Sequence, residues 1–161
     1  MAFGSVDFCK AQFNILDEKT SVSDEYSYWK ALCKYWQKDD LIIIEQDIVA
    51  SPEFIAELIN CECKDCAFKY KIYTPTTKEN QPIWAYGLFD RDGTWIRLES
   101  GDYETAQFTG LGFIKISKES QLKFNLQENP TTFRQNLDMV ICKGIKTYFH
   151  MHHEVDHLHR N

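Results

Sequence analysis

The segment from Leu41 to Asn60, "LIIIEQDIVASPEFIAELIN", constrains the fold of this 161-residue chain more than any other. Four consecutive aliphatic residues bounded by polar ones predict a short strand that is buried on both faces. Ser51 as an N-cap and Pro52 at the first helical position predict that a helix follows. Strand, short loop and helix in this order are typical of an α/β sheet, so we expect a single α/β domain spanning residues 1–161.

The remaining patterns place helices around a mixed central sheet. Residues 3–15 predict one or two short strands, residues 67–116 are mostly extended with a hairpin at "DRDG", and "IKTYFHMH" predicts a last strand. Three further helices are predicted: one with an apolar stripe from Tyr26 to Trp36, capped by Ser23 or Asp24 and ended by Asp39 and Asp40; one from Ser117 through about Phe124; and one capped by Thr131 or Thr132.

The composition excludes some classes of function. The net charge of −6 and the pI near 5.3 argue against nonspecific binding to nucleic acid or to an anionic membrane. No apolar run approaches the roughly 18–20 residues that a membrane span needs. The start "MAFGSVDFCK" lacks a charged segment followed by an apolar core, so we expect no signal peptide. We therefore expect a cytoplasmic protein with reduced thiols.

Two carboxylates follow the aliphatic strand directly. Glu45 and Asp47 are separated by one residue at the carboxyl end of this strand, which we expect to be central in the sheet, and the carboxyl ends of central strands are where α/β sheets place ligands. Such a pair can hold a divalent cation and a ribose hydroxyl together, and Mg²⁺ and Mn²⁺ prefer oxygen ligands. The alternative is an ordinary solvated turn.

All five histidines lie within the last twelve residues. In a regular strand, Tyr148, His150 and His152 would share one face, and residues 149, 151 and 153 the other. Two histidines on one face of a strand form a good metal-ligand pair. Imidazole beside a carboxylate suits Mn²⁺ or Zn²⁺ better than Mg²⁺. The alternative is a solvated terminus that is rich in histidine.

The order of motifs resembles a family of small bacterial, archaeal and phage proteins with a glycosyltransferase-A-like fold. The resemblance covers roughly residues 26–159 and rests on "YWKALCKYW", "DDLIIIEQDIV", "PEFIAELINC", "DCAFKY", "GLGFIKIS", "LD" and "HMHHEVDHLH". It implies a metal-dependent transfer of a sugar from a nucleotide-sugar donor to an unknown acceptor. The cation would be Mn²⁺ or Mg²⁺, and it would neutralise charge on the departing diphosphate.

The resemblance also implies roles for residues at matching positions. Glu45 would face the nucleotide ribose and Asp47 the metal, with His152 or His157 as the second protein ligand. Gly110 and Gly112, within Thr109–Phe113, would let the backbone of a sugar or acceptor pocket approach its ligand. Asp138, in "NLDMV", would act as the general base on an acceptor hydroxyl.

The cysteines of "CECKDC" form a separate candidate site. Cys61, Cys63 and Cys66 can bind Zn²⁺ through their thiolates, with a C-terminal histidine as the fourth ligand. A Cys61–Cys66 or Cys63–Cys66 disulfide and three plain thiols are the alternatives.

Two other functions compete with glycosyl transfer. A zinc hydrolase-like enzyme would use the His-x-His strand with Asp47 to activate water. A noncatalytic module would bind sugar or a partner protein through Trp84, Trp95 and Tyr103. Both metal-dependent functions require the carboxylates after the aliphatic strand and the C-terminal imidazoles to lie close together.

Overall fold

The computed structural model describes residues 25–45, 47–73, 82–89, 91–92, 94–98, 104–126, 137–142 and 145–158. These residues form a mixed α/β structure. Its helices are α1 Glu25–Tyr35, α2 Pro52–Asn60, α3 Lys118–Gln121 and α4 Leu137–Cys142. Its strands are β1 Leu41–Ile44, β2 Ile48–Val49, β3 Cys66–Lys69, β4 Lys71–Tyr73, β5 Pro82–Trp84, β6 Tyr86–Phe89, β7 Trp95–Arg97, β8 Thr105–Ala106, β9 Phe108–Thr109, β10 Phe113–Ile116, β11 Thr147–Glu154 and β12 Asp156–His157.

The main sheet has five strands in the order β1-β10-β3-β11-β8. Strands β3 and β11 are parallel and the other neighbours are antiparallel, which confirms the predicted mixed sheet. Within the described residues β1 pairs only with β10, so it lies at the end of this order. The sequence predicted a central position for this strand. Both faces of β1 are nevertheless packed, because Leu41 and Ile43 contact one core cluster while Ile42 and Ile44 contact another.

The described residues also form three smaller sheets beside the main one. Strands β6 and β7 form the predicted hairpin around "DRDG", and β9 pairs with the other edge of β6. Strands β4 and β5 form a second antiparallel pair. The third pair, β2 with β12, was not predicted, and it sets His157 opposite Ile48. This pair brings the end of the described chain beside the turn that carries Glu45 and Asp47.

Helix α2 begins as the sequence predicts. The Ser51 side chain accepts a hydrogen bond from the Phe54 backbone N–H at 3.3 Å, and Pro52 occupies the first turn. Its inner residues Ile55 and Leu58 are fully buried. Burying two aliphatic side chains of this size contributes about 3–6 kcal/mol, which fixes the helix against the sheet.

Helix α1 ends earlier than predicted, at Tyr35 and not at Asp39. Gln37 takes a left-handed conformation with φ of 63°, which stops the helix. The buried Gln121 side chain holds the new chain direction, since it accepts from the Gln37 N–H at 2.6 Å and donates to the Asp39 carbonyl at 2.8 Å. Helix α3 likewise ends at Gln121, before Phe124. The predicted caps at residues 23, 24, 131 and 132, and the strands at 3–15, lie outside the described residues.

Strand β11 is irregular, and this changes which histidines share a face. Phe149 is level with Ala67, whereas Glu154 is level with Lys69, so β11 takes five steps while β3 takes two. The register shift turns both His150 and His153 towards the Phe68 ring. The predicted alternation of the C-terminal histidines is therefore wrong beyond Phe149. No helix in the described part of the chain combines the length and the apolar character that crossing a membrane requires.

Candidate functional site

Glu45 and Asp47 lie in the tight turn between β1 and β2. The Glu45 backbone N–H donates to the Gly112 carbonyl at 2.9 Å, and the Ile48 N–H donates back to the Glu45 carbonyl at 3.1 Å. The turn is thus attached to the residue that precedes β10. These hydrogen bonds hold the backbone that carries the two carboxylates against the start of β10.

The electrostatics of Glu45 identify its neighbours. Burial, together with the charges of Asp47 and Asp138, raises the pKa of this carboxyl from 4.5 to about 7, although a hydrogen bond with Tyr28 acts in the opposite direction. Asp138 lies in the first turn of α4, so the carboxylates of two distant segments act on one another. A group of this kind attracts a cation or exchanges a proton near neutral pH.

His157 joins this group through the β2–β12 pair. Its Nε2 lies 3.4 Å from Asp47 Oδ2, and the neighbouring Leu158 N–H donates to the Asp47 carbonyl at 2.7 Å. We call Glu45, Asp47, Asp138 and His157 the carboxylate cluster. His152 is exposed, and within the described residues it makes no ion pair or hydrogen bond with either Glu45 or Asp47.

Gly110 and Gly112 lie against Tyr70. A Cβ atom on Gly110 would overlap the Tyr70 hydroxyl, and one on Gly112 would lie 2.8 Å from Tyr70 Cζ. The Gly112 N–H donates to Tyr70 Oη at 3.0 Å, and the tyrosine ring packs 5.5 Å from the His157 ring. The space beside these glycines, which was expected to admit a ligand, is taken by a side chain of the protein that supports His157.

A second polar group lies at the end of α2. Cys61 follows α2, Cys66 begins β3 and His150 lies in β11, and their ligand atoms are all within 4.8 Å of one another. We call these three residues the thiol cluster, and it could hold a metal ion. The cysteines are free thiols, and burial raises the pKa values of Cys66 and Cys63.

The structure separates histidines that the sequence placed together. His150 belongs to the thiol cluster and His157 to the carboxylate cluster, so within the described residues no His-x-His pair meets Asp47. The side chains of Trp84, Trp95 and Tyr103, on which the noncatalytic alternative depends, lie outside the described part of the chain. A pocket at the end of α1 is lined, among the described residues, by uncharged side chains that include Trp36, Gln37 and Asn125.

Sequence reasoning missed two supporting residues. Tyr70 gave no signal, because a tyrosine after a strand is usually a core residue. Glu57 is one of two glutamates in "PEFIAELIN", and nothing in the letters distinguished it as a partner of His150 and His153. The chain matches no family model, no curated protein and no solved structure.

Proposed function

We propose that this chain is a small glycosyltransferase-A-like protein that uses a divalent cation to transfer a sugar from a nucleotide-sugar to an acceptor. One observation carries the proposal: His157 Nε2 lies 3.4 Å from Asp47 Oδ2, in the same turn that holds Glu45. The order of motifs along the chain supports it by resemblance, since such proteins place an acidic turn after an aliphatic strand and a histidine near the C-terminus.

The donor atoms of the carboxylate cluster fit Mn²⁺ better than Mg²⁺. They combine carboxylate oxygen with imidazole nitrogen, whereas Mg²⁺ prefers oxygen alone. Adjacent ligands of an octahedral ion with bonds of about 2.1 Å lie about 3 Å apart, close to the separation of Asp47 and His157. These two residues are therefore the protein ligands that we assign, and the exposed His152 is not among them.

The remaining side chains have roles that follow from their positions. The cation, when bound, supplies positive charge to the departing diphosphate. Glu45, hydrogen-bonded with Tyr28, would orient a ribose hydroxyl, because a carboxyl with a pKa near 7 can both donate and accept. Asp138 would take the proton of an acceptor hydroxyl, since its charge acts on the same cluster from α4.

Thermal unfolding with nucleoside diphosphates tests this function. A panel including uridine and guanosine diphosphates, with and without Mn²⁺, should raise the unfolding temperature only when one nucleotide and Mn²⁺ are both present. Ligand at 100 times its dissociation constant stabilises a folded protein by about 2.7 kcal/mol, which is easily measured. A radiolabelled sugar nucleotide that stabilises the protein then serves to detect transfer.

Asp47→Asn is the informative variant, because it removes the charge and keeps the shape. Asp156→Asn is its matched control, since Asp156 is an exposed carboxylate in the same strand as His157. We expect the first variant to abolish the joint effect of nucleotide and Mn²⁺, and the second to preserve it. The same response in both variants, or no response of the unchanged protein to any nucleotide, would refute the proposed function.

A further inference from the structure

The thiol cluster joins three elements that are distant in the chain. Its donors come from the residue after α2, the first residue of β3 and the irregular strand β11. From this arrangement we propose that the protein binds one Zn²⁺ through Cys61 Sγ, Cys66 Sγ and His150 Nε2. This site is separate from the carboxylate cluster, and it does not depend on glycosyl transfer.

The orientation of His150 is the strongest observation in favour of a metal. Its Nδ1 lies 2.7 Å from Glu57 Oε1, and its ring stacks on Phe68 at 4.6 Å between centroids. Its Nε2 is buried and has no hydrogen-bond partner within the described residues. A carboxylate that holds one imidazole nitrogen, so that the other faces a metal, is the usual support of a zinc-bound histidine.

The orphaned nitrogen would otherwise destabilise the protein. A buried polar atom without a partner lowers the free energy of unfolding, because it loses its hydrogen bonds to water and gains none in the protein. The two thiols beside His150 do not offer a strong alternative hydrogen bond, since sulfur is a weak donor. Cys66 Sγ contacts the Leu58 carbonyl at 3.9 Å, and Cys61 interacts with both other thiols. A metal ion would satisfy the nitrogen and both sulfur atoms at once.

The donor chemistry selects zinc among common cations. Thiolate and imidazole are ligands that Zn²⁺ prefers, and a hard cation such as Mn²⁺ or Mg²⁺ does not. On binding, the Cys61 and Cys66 thiols each release one proton, and His150 stays neutral with its proton on Nδ1 facing Glu57. Zn²⁺ and two thiolates then carry no net charge, which suits a position beside the buried residues Phe68 and Phe113.

Cys63 is the candidate that we consider for the fourth ligand of a tetrahedral ion. The Cys63 thiol interacts with that of Cys61, and the spacing Cys-x-Cys-x-x-Cys lets one short loop reach the ion repeatedly. Lys115 Nζ donates to the Cys61 carbonyl at 2.6 Å and adds positive charge beside the thiolates. With three or four protein ligands, the ion would fasten the end of α2 to β3 and β11.

Metal analysis of the reduced, untagged full-length protein tests the site. We expect about one equivalent of Zn²⁺ per chain, and a cobalt-substituted sample with the intense visible bands of tetrahedral Co²⁺ and a thiolate-to-cobalt charge-transfer band. The intensity of that band separates two thiolates from three, and either value supports the proposal. A reduced protein that retains no zinc and gives no charge-transfer band overturns it.

Variants of single donors locate the ion. Cys66→Ser and His150→Gln should each lower the affinity for zinc by at least a hundredfold, whereas Cys33→Ser should leave it unchanged. Cys33 is the matched control, because it is a half-buried free cysteine that packs in the other core cluster. Equal loss of zinc from Cys33→Ser would overturn the assignment of ligands.

The role of Glu57 can be tested without disturbing the core. We expect Glu57→Gln to weaken zinc binding about 10–100-fold while the tetrahedral cobalt spectrum persists, because Glu57 positions the imidazole and is not a ligand. Glu53→Gln, an exposed change on the same helix, should keep the original affinity. An unchanged affinity in Glu57→Gln would contradict the proposed orientation of His150.

Discussion

The carboxylate cluster and the thiol cluster take their histidines from the same short segment, yet they suit different chemistry. His157 meets Asp47 in a half-buried group of oxygen donors, whereas His150 meets two sulfur atoms beside the apolar core. An imidazole is a ligand of intermediate softness, so its partners decide which cation it binds. Each histidine in such a run should therefore be assigned to a site by the side chains that it contacts, and the run should not be treated as one site.

Removal of the proposed Zn²⁺ from the thiol cluster should change the free energy of unfolding more than any other change. An ion present at 1,000 times its dissociation constant stabilises the folded chain by about 4 kcal/mol. We expect a chelator to lower the free energy of unfolding of the reduced protein by about that amount, measured by urea denaturation. On His150→Gln, whose affinity for zinc is at least a hundredfold lower, the chelator should have an effect of at most about 1.4 kcal/mol. If the unchanged protein is equally stable with zinc and with chelator, the thiol cluster does not bind zinc. The two clusters would then not differ in the cation that they bind.

Ionisation of Glu45 should give the next largest effect, and only in the carboxylate cluster. The pKa is raised from 4.5 to about 7 in the folded state, so the folded protein keeps this proton over a pH range in which the unfolded chain has lost it. The stability that Glu45 contributes is full below pH 4.5 and is lost as the pH rises through about 7.

The variant Glu45→Gln removes this titration. Without divalent cations, it should be more stable than the unchanged protein by about 3 kcal/mol above about pH 8, and equal to it below about pH 4. Urea denaturation across this pH range measures the difference. A difference that does not vary with pH would show that burial and the charges of Asp47 and Asp138 do not raise the pKa of Glu45.

Substitution of Gly110 tests its contact with Tyr70, the residue whose ring packs against His157. Gly110→Ala should lower the free energy of unfolding by about 2 kcal/mol, because the added methyl group overlaps the tyrosine hydroxyl. In a Tyr70→Phe background the same change should cost less, since the overlapping oxygen is absent. Chemical denaturation of the unchanged protein, the two single variants and the double variant completes a double-mutant cycle. Purely additive changes in the free energy of unfolding would count against a contact between Gly110 and Tyr70.

His152→Gln should have the smallest effect. This side chain is exposed, and surface substitutions of this kind usually change stability by less than about 0.5 kcal/mol. We expect the zinc content, and the response to nucleotide with Mn²⁺, to stay as in the unchanged protein. Loss of the Mn²⁺ response would assign the second ligand to His152 in place of His157.

Local chemistry explains which parts of the fold could be predicted. Ser51 and Pro52 determine the start of α2 through capping and a fixed backbone angle, and "DRDG" determines a hairpin, because both signals act within a few residues. The mixed α/β class also follows from the order of such elements. The early end of α1 could not be predicted, because Gln121, far along the chain, stabilises the left-handed Gln37.

The sequence allowed us to predict which residues could bind a cation, but not which of these residues lie together. Glu45, Asp47 and the cysteines stand out by residue type and position, whereas the partner of each histidine depends on the register of β11 against β3. A shift in register arises from packing between distant segments, so no periodicity in the sequence reveals it. Tyr70 was missed because its contact with Gly110 and Gly112 joins loop residues that are far apart in the chain.

The parallel pairing of β3 with β11 has a consequence for the order of folding. Cys61 and Cys66 are close in the chain, but His150 follows them after more than half of its length, so bringing His150 to the thiols closes a much longer loop and costs more chain entropy than bringing the two thiols together. An oxidant that joins the two thiols in a disulfide before β11 has docked would remove both sulfur donors from the thiol cluster.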